Sequence, residues 1–353
     1  MEKDYILVGQ GIAGSVLAFE LLQRGKRILV VDEDPSTSSS KVAAGLYNPI
    51  VFKRLSKSWM VDELLPPALK TYASMEQCFN TKLHHSREIV KLFSSDEEKK
   101  FWFSKAQLPQ LQVYLSDEKE VVEPPIAIQN PFGAAIVKRA GNVNIPLLLN
   151  LMQQYLNESD SLLKQKFNYS DITFHRNTVS WNGFHAQKII FCEGYKCTEN
   201  PYFNWLPFVL TKGETLLLKI KNYQTEMVVN KGVFILPLGN DLYKVGATYD
   251  WQNLTEEPSQ KGKEELLTKL KQILDMPFEL IEHTAGIRPT VKDRRPILGL
   301  HPKYPELAVF NGMGTKSVML APYFAVKLLD FLEEKSALHP EVAISRFYSE
   351  YKP

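Results

Sequence analysis

The chain has 353 residues, of which 44% are hydrophobic and 23% are charged, and 42 Lys and Arg against 40 Asp and Glu leave a net charge of +2. This length and composition exclude extended disorder and a mini-protein, and they favour roughly two domains. The near balance of charge provides no whole-chain attraction to nucleic acid or to a membrane surface.

Cysteine usage and the N-terminus bear on the compartment. The three cysteines cannot form a disulfide framework in a chain of this length, and they lack the paired spacing of a structural zinc site. Acidic Glu2 and Asp4 stand where a secretory signal has basic residues. The longest apolar runs fall short of the roughly 20 residues that a bilayer requires. We therefore predict a cytoplasmic protein with no metal site and no membrane partner.

The first segment predicts a β-α-β unit. Tyr5–Val8 is a short apolar run of the buried-strand type, and it leads into Gly9-Gln10-Gly11-Ile12-Ala13-Gly14. Ser15–Arg24 has the apolar positions of a buried helix, and Gly25 is a natural C-terminal stop. Ile28–Val31 is a second buried strand, and Asp32 follows it directly.

This arrangement of glycines predicts dinucleotide binding. Gly9 permits the tight turn, Gly11 lets the backbone approach a pyrophosphate, and Gly14 allows the helix to pack closely on the strand. The phosphates then lie at the positive N-terminus of the helix. Asp32 follows the second strand, where a carboxylate can accept a hydrogen bond from a ribose hydroxyl.

Along the rest of the chain, apolar periodicity predicts helices and strands separated by turn-forming sequence. The composition shifts from about Asn48, which indicates that another segment interrupts the first domain. Gly239-Asn240-Asp241 predicts a hairpin turn between two antiparallel strands. The further predicted helices are 61–80, 95–106, 141–156, 261–274 and 318–334, and the further predicted strands are 186–192, 214–220, 232–237, 243–248 and 307–310.

Several stretches match one family. Ala43-Ala44-Gly45-Leu46 follows the second strand, and Cys192-Glu193-Gly194 has the form of the second nucleotide-contacting turn of flavoproteins. Residues 286–299 are similar to the pattern Gly-Leu-Arg-Pro-x-x-x-Asp-x-x-Pro-x-Ile-Gly, and residues 311–322 are similar to Gly-x-Gly-Ser-Arg-Gly-x-x-x-Ala-Pro. Val245–Thr248 resembles a strand of the β-sheet that borders the substrate in this family. The chain thus resembles the D-amino-acid oxidase superfamily of FAD-dependent oxidoreductases, which includes glycine and sarcosine oxidases.

The resemblance implies a mixed α/β fold with two domains. One is a Rossmann-like FAD-binding domain of the glutathione-reductase type, and the other is a substrate domain with an antiparallel β-sheet. The implied ranges are 1–49, 136–205 and 283–353 for the discontinuous FAD domain, and 50–135 and 206–282 for the substrate domain. The closing region 283–334 lacks the cysteine to which sarcosine oxidases attach their flavin, so the FAD is expected to be bound non-covalently.

The glycine-rich turn and the resemblance together assign the site residues. Arg288 would bind the substrate carboxylate through its planar fork, as in the amino-acid oxidases. The loop before the last helix would aim the positive helix N-terminus at the flavin N1/C2 carbonyl, with Lys316 and Ser317 replacing the usual arginine and glycine. Tyr249 and Tyr47 are candidate substrate contacts by position. The predicted FAD-binding residues are Gly9, Gly11, Ile12, Ala13, Gly14, Asp32, Ala43, Ala44, Gly45, Glu193, Gly194, Gly312, Met313, Gly314, Thr315 and Lys316.

The implied reaction is the oxidation of the C–N bond of an amino acid or of an N-substituted glycine. A hydride passes to flavin N5, water hydrolyses the imine, and oxygen or another acceptor reoxidises the flavin. The alternative for Arg288 is a structural salt bridge, and for the two tyrosines it is packing.

Two alternatives for the whole protein also stay open. The same motifs resemble the oxidase domain of the bifunctional enzyme that acts on a carboxymethylamino group of tRNA wobble uridine. The methyltransferase half of that enzyme is missing here, and the small net charge provides little general attraction to RNA. The other alternative is a protein that binds FAD without turnover.

Overall fold

The computed structural model describes residues 1–120, 122–125 and 127–352. Val121, Ile126 and Pro353 fall within the predicted domain ranges but lie outside the described residues. The α-helices are α1 (Ile12–Gln23), α2 (Ser39–Val42), α3 (Val61–Phe79), α4 (Asp96–Ala106), α5 (Ile145–Glu158), α6 (Gln260–Lys271) and α7 (Ser317–Leu332).

The strands are two to ten residues long and come from all parts of the chain. They are β1 (Tyr5–Val8), β2 (Ile28–Asp32), β3 (Leu46–Tyr47), β4 (Ile50–Val51), β5 (Ser56–Lys57), β6 (His84–Ser86), β7 (Ile89–Leu92), β8 (Ala134–Val137), β9 (Gly141–Val143), β10 (Leu162–Lys164), β11 (Thr173–His175), β12 (Thr178–Trp181), β13 (Phe184–Ala186), β14 (Lys188–Phe191), β15 (Thr211–Lys219), β16 (Val228–Lys231), β17 (Val233–Gly239), β18 (Leu242–Gly246), β19 (Glu279–Arg288), β20 (Ile297–Leu300) and β21 (Leu307–Asn311).

The predicted β-α-β unit forms the centre of a six-stranded sheet. Its strand order is β10-β2-β1-β14-β21-β20, with the first five strands parallel and β20 antiparallel to β21. The strands β1, β2 and β14 are almost wholly buried because helices cover one face and a further apolar cluster covers the other. Their carboxyl ends therefore meet at one edge, where doubly wound sheets bind ligands.

A seven-stranded sheet stands beside this unit. Its order is β19-β15-β18-β17-β16-β7-β8, and its neighbours are antiparallel except for the parallel pair of β16 and β7. The predicted hairpin at Gly239-Asn240-Asp241 connects β17 to β18. The prediction of a helix from Gly141 was wrong for its first residues, because Gly141–Val143 forms β9 and the helix begins after Asn144, whose side chain caps α5.

The segment 50–135 contacts both the last helix and the seven-stranded sheet. Its helix α3 packs against α7, and the Tyr72 hydroxyl donates a hydrogen bond of 2.7 Å to the carbonyl of Val318. Its strands β7 and β8 extend the seven-stranded sheet. Within the described residues, every helix is too short or too polar to cross a bilayer.

Candidate active site

A cavity of about 860 Å³ lies between the carboxyl edge of the six-stranded sheet and the seven-stranded sheet. Its walls on the first side include residues that follow β1, β2 and β14, and on the second side residues of β15, β17 and β19. A single cleft therefore joins the predicted nucleotide-binding turn to the predicted substrate sheet.

The glycine-rich turn lines one part of this cavity. Gly9 has φ +99°, a left-handed conformation, and a Cβ built on it would lie 2.7 Å from the carbonyl oxygen of Cys192. A Cβ on Gly14 would overlap the carbonyl oxygen of Gly9. Gly11, Ile12 and Ala13 line the cavity.

Backbone donors are available at this turn. The first hydrogen bond within α1 runs from the Ser15 N–H to the Gly11 carbonyl, so the N–H groups before Ser15 have no partner inside the helix. One of them, that of Ile12, donates to Ser40 Oγ at 3.1 Å. Because bare glycine backbone and a positive helix end face an open cleft, these residues fit the diphosphate of a dinucleotide.

Asp32 holds the turn as well as lining the cavity. Its Oδ2 accepts a hydrogen bond of 2.6 Å from the Gln10 N–H, and its Oδ1 accepts one of 2.6 Å from the Asp34 N–H. Each carboxylate oxygen has a further lone pair, so the group can still accept from a ribose hydroxyl. Asp32 therefore fits both a structural and a ligand-binding role.

Glu193 follows β14 and forms part of the cavity wall. Its Oε1 accepts from the Tyr169 hydroxyl at 2.6 Å, and its Oε2 accepts from the Asn200 amide at 2.8 Å. Burial opposes the charged form and raises the pKa of Glu193 to about 7, although both hydrogen bonds act in the other direction. The neighbouring Gly194 also lines the cavity.

Glu193→Gln is expected to remove a loss of stability between pH 5 and pH 8. The folded protein keeps the proton of Glu193 up to pH of about 7, whereas the unfolded chain loses it near the ordinary pKa of 4.5. The free energy of unfolding therefore falls by about 1–3 kcal/mol as the pH rises through this interval. Urea unfolding at both pH values measures the difference, with Glu158→Gln, an exposed site on α5, as the control. Parallel losses in the wild type and the Glu193 variant would contradict the raised pKa.

The predicted flavin-bordering residues line a second part of the cavity, its flavin end. Ala43, Ala44 and Gly45 line it, and Gly45 has φ +67° with no room for a Cβ beside the Val143 carbonyl. Met313, Gly314 and Thr315 also line it, at the start of the helical turn that leads into α7. Gly312 has φ +76° and lies outside the cavity lining, since it packs against Val291.

Arg288 ends β19 at this part of the cavity. Its Nη1 donates to the Lys212 carbonyl and its Nη2 donates to the Thr248 carbonyl, both at 3.1 Å. Its guanidinium carbon lies 4.4 Å from the centre of the Tyr249 ring, which also lines the cavity. Burial lowers the pKa of Arg288. No carboxylate of residues 1–120, 122–125 or 127–352 forms an ion pair with it.

Lys316 and Tyr47 lie against a second, smaller cavity of about 210 Å³. Lys316 Nζ donates to Ser58 Oγ at 2.8 Å, and burial lowers the pKa of Lys316 to about 8. The Tyr47 hydroxyl is 2.7 Å from His84 Nε2, and burial raises the pKa of Tyr47 to about 12. Thr315 lines both cavities, so the second cavity borders the flavin end of the first without placing either side chain in it.

Sequence reasoning missed the cavity residues of the substrate sheet. Gly213 and Thr215 of β15 line the cavity, as do Phe234 of β17 and Ala247. The signal that could have found Gly213 and Thr215 is their spacing of two, which places both on the same face of a strand. Ser40, which caps the glycine-rich turn, lies in a stretch that reads as turn-forming sequence.

Known proteins resemble the chain over most of its length. The family model described as DAO, FAD dependent oxidoreductase, matches residues 4–330. The glycine oxidase of Geobacillus kaustophilus is 22% identical over 356 residues, which cover 94% of this chain and 93% of that protein. The crystal structure of the glycine oxidase from Geobacillus kaustophilus has a TM-score of 0.80 at 20% identity and covers 95% of this chain and 96% of that one. This likeness confirms the predicted fold class.

A tRNA-related protein also matches. The tRNA 5-methylaminomethyl-2-thiouridine biosynthesis bifunctional protein MnmC of Legionella pneumophila is 25% identical over 332 residues. The match covers 84% of this chain but 46% of that protein, so the chain corresponds to about half of the bifunctional relative.

Proposed function

Since the chain belongs to the DAO family of FAD-dependent oxidoreductases, we propose that it oxidises the C–N bond of an amino acid or of an N-substituted glycine. The product is an imine, which water hydrolyses to a carbonyl compound and an amine or ammonia. The partners of this reaction are a small amine substrate and oxygen or another electron acceptor.

The observation that carries this proposal is the state of Arg288. A partly buried guanidinium without an anionic partner in the described part of the chain is costly, unless a ligand supplies the negative charge. Two of its five N–H groups are used by backbone carbonyls, which leaves three donors for a ligand. A substrate carboxylate matches this planar fork and would fix the position of the adjacent α-carbon.

The remaining residues of the cleft would hold the cofactor. The turn Gly9–Gly14 and the start of α1 suit the diphosphate, and Asp32 suits the ribose. At the flavin end, Met313, Gly314 and Thr315 place the positive start of α7 beside the cleft, where it favours negative charge. FAD, when bound, supplies the hydride acceptor, so the chain needs to orient the substrate and to exclude water.

Anaerobic titration of the FAD-loaded protein tests the proposal. We expect the flavin absorbance band to bleach with at least one member of a panel of glycine, sarcosine, proline and D-amino acids. Bleaching follows from transfer of the substrate's α-hydrogen to the cofactor, and the matching carbonyl product should form in equal amount. A band that persists with every acid, in protein shown to contain FAD, would contradict oxidation of free amino acids.

A second candidate substrate is an N-substituted glycine attached to tRNA. Tyr249 and Trp251 favour it, because the centres of their stacked rings are 6.2 Å apart and the two residues are 56% and 59% exposed. The Tyr249 ring also lies against Arg288. Exposed aromatic rings provide stacking surfaces for bases, and MnmC is among the similar proteins. Salt-sensitive tRNA binding that weakens in Trp251→Ala would support this candidate. If neither the wild-type protein nor the Trp251→Ala variant binds tRNA, the candidate is excluded.

A further inference from the structure

The guanidinium of Arg288 rests on the backbone of Gly213. A Cβ built on Gly213 would overlap Nη2 and Cζ of Arg288 and would lie 2.5 Å from Nη1. We propose that Gly213 and Tyr249 are positioning residues that form a slot for this guanidinium and thereby fix its orientation toward the substrate carboxylate. The carboxylate part of this inference rests on the proposed function.

Gly213 is required for room and not for backbone freedom. It lies within β15, opposite Gly286 of β19, and its φ angle is not positive. An alanine could adopt the same extended backbone without strain. Arg288 supplies all three of the heavy atoms nearest to the missing Cβ. A methyl group added at Gly213 would therefore meet the arginine side chain first.

Backbone carbonyls set the orientation of the guanidinium within the slot. The acceptors are the carbonyls of Lys212 and Thr248. These two residues immediately precede Gly213 and Tyr249 in the sequence. Lys212 and Asp250 also exchange two backbone hydrogen bonds, of 2.8 and 3.0 Å, which tie β15 to the segment after β18. Both acceptors therefore lie in backbone that hydrogen bonds tie to β15.

The ring of Tyr249 completes the slot. Its centre lies 4.4 Å from the guanidinium carbon, within the range of a cation–π contact. These neutral groups hold the arginine without neutralising it. In contrast, an acidic partner would fix the side chain but would compete with the substrate carboxylate for its charge.

A double-mutant cycle tests the slot. We expect Gly213→Ala to lower kcat/KM by about 10- to 100-fold, mostly through KM, because a displaced guanidinium loses charge-assisted hydrogen bonds to the carboxylate. The same substitution in an Arg288→Ala background should cost less than about twofold, since the arginine that it displaces is gone. Equal losses in the two backgrounds, or no loss in either, would contradict the part of the inference in which the slot orients Arg288 toward the substrate carboxylate.

Thermal unfolding of the same four FAD-loaded proteins provides a readout that needs no substrate. Gly213→Ala should lower Tm in the wild type and leave it nearly unchanged in Arg288→Ala. A loss of Tm that occurs only when Arg288 is present, together with a kinetic loss that does not depend on Arg288, would support the slot and would contradict the carboxylate role of Arg288. An equal change of Tm with and without Arg288 would overturn the slot, whatever the kinetics are.

The Tyr249 side of the slot is tested independently of Gly213, which keeps the inference testable if Gly213→Ala fails to fold. Tyr249→Phe keeps the ring face and Tyr249→Ala removes it, so we expect KM to be about 3- to 10-fold higher in the Ala variant than in the Phe variant. In the Arg288→Ala background the two variants should have the same KM. A difference that persists there would overturn the role of Tyr249 as support for the arginine.

Discussion

Arg288→Ala is expected to lower kcat/KM for the acid substrate by about 100-fold, since a bidentate charge-assisted pair contributes about 3 kcal/mol to binding. The bound FAD should be unchanged, because the contacts of Arg288 are with the carbonyls of Lys212 and Thr248 and the ring of Tyr249, none of which belongs to the glycine-rich turn. Steady-state kinetics with the best substrate of the bleaching panel measures the loss, and the ratio of flavin to protein absorbance measures the cofactor.

Two further variants sharpen this result. Arg288→Lys keeps the charge but lacks the planar fork, so it should recover only part of the activity. Arg176→Ala removes an exposed arginine outside the cavity lining and is the matched control. If Arg288→Ala kept the wild-type kcat/KM for every acid that is oxidised, the carboxylate would have to bind elsewhere.

Gly14→Ala is expected to abolish FAD binding and to lower the free energy of unfolding by about 3 kcal/mol. The added methyl would overlap the carbonyl oxygen of Gly9, which belongs to the turn between β1 and α1. Relief of this overlap requires the helix to move away from the strand, which opens the site for the diphosphate. Urea unfolding measures the stability, and flavin absorbance after gel filtration measures binding.

Gly25→Ala is the matched control for this substitution. Gly25 follows the same helix with φ +70°, and nothing lies within 4 Å of the position of its missing Cβ. The cost there should be about 1–2 kcal/mol, from the left-handed backbone alone, with FAD retained. The close helix–strand contact would be unimportant if Gly14→Ala retained FAD and matched Gly25→Ala in stability.

The β-α-β unit could be predicted because its signals are local. β1 has the predicted bounds Tyr5–Val8, and β2 extends the predicted strand by the one residue Asp32. α1 begins at Ile12 and not at Ser15, because its first turn consists of Ile12, Ala13 and Gly14 and the Ser15 N–H already bonds to Gly11. Because glycine has a low helix propensity, the pattern of apolar residues predicted that the helix begins at Ser15, three residues later than it does.

The strands of segment 50–135 could not be predicted because the contacts that form them are not local in sequence. They are two to four residues long, and β7 pairs with β16, which is remote in the sequence. Strand pairs of this kind depend on tertiary contacts and leave no periodic signal. The helices α3 and α4 are long enough to show such a signal, and both were predicted. The domain ranges remain predictions.

Lys316 and Tyr47 illustrate why proximity in sequence did not predict which side chains enter the main cavity. Successive residues of a strand point to opposite faces, so Leu46 lines the main cavity while Tyr47 contacts His84. Successive residues of a helical turn likewise differ in direction, so Thr315 lines the main cavity while Lys316 contacts Ser58. The motifs identify these stretches of sequence, whereas the direction of each side chain depends on how the strand or helical turn that carries it is packed.

The strand order of the six-stranded sheet also determines when the cofactor cleft can be completed during synthesis. β14 lies between β1 and β21, and α7 packs against α1 and α3. A nascent chain that has emerged only as far as β20 has the glycine-rich turn and Asp32 but lacks Met313, Gly314 and Thr315, which line the flavin end. Such distant contacts also slow folding. Uptake of the whole cofactor therefore follows translation of the last strand and helix, and ribosome-bound chains stalled before β21 should carry no flavin.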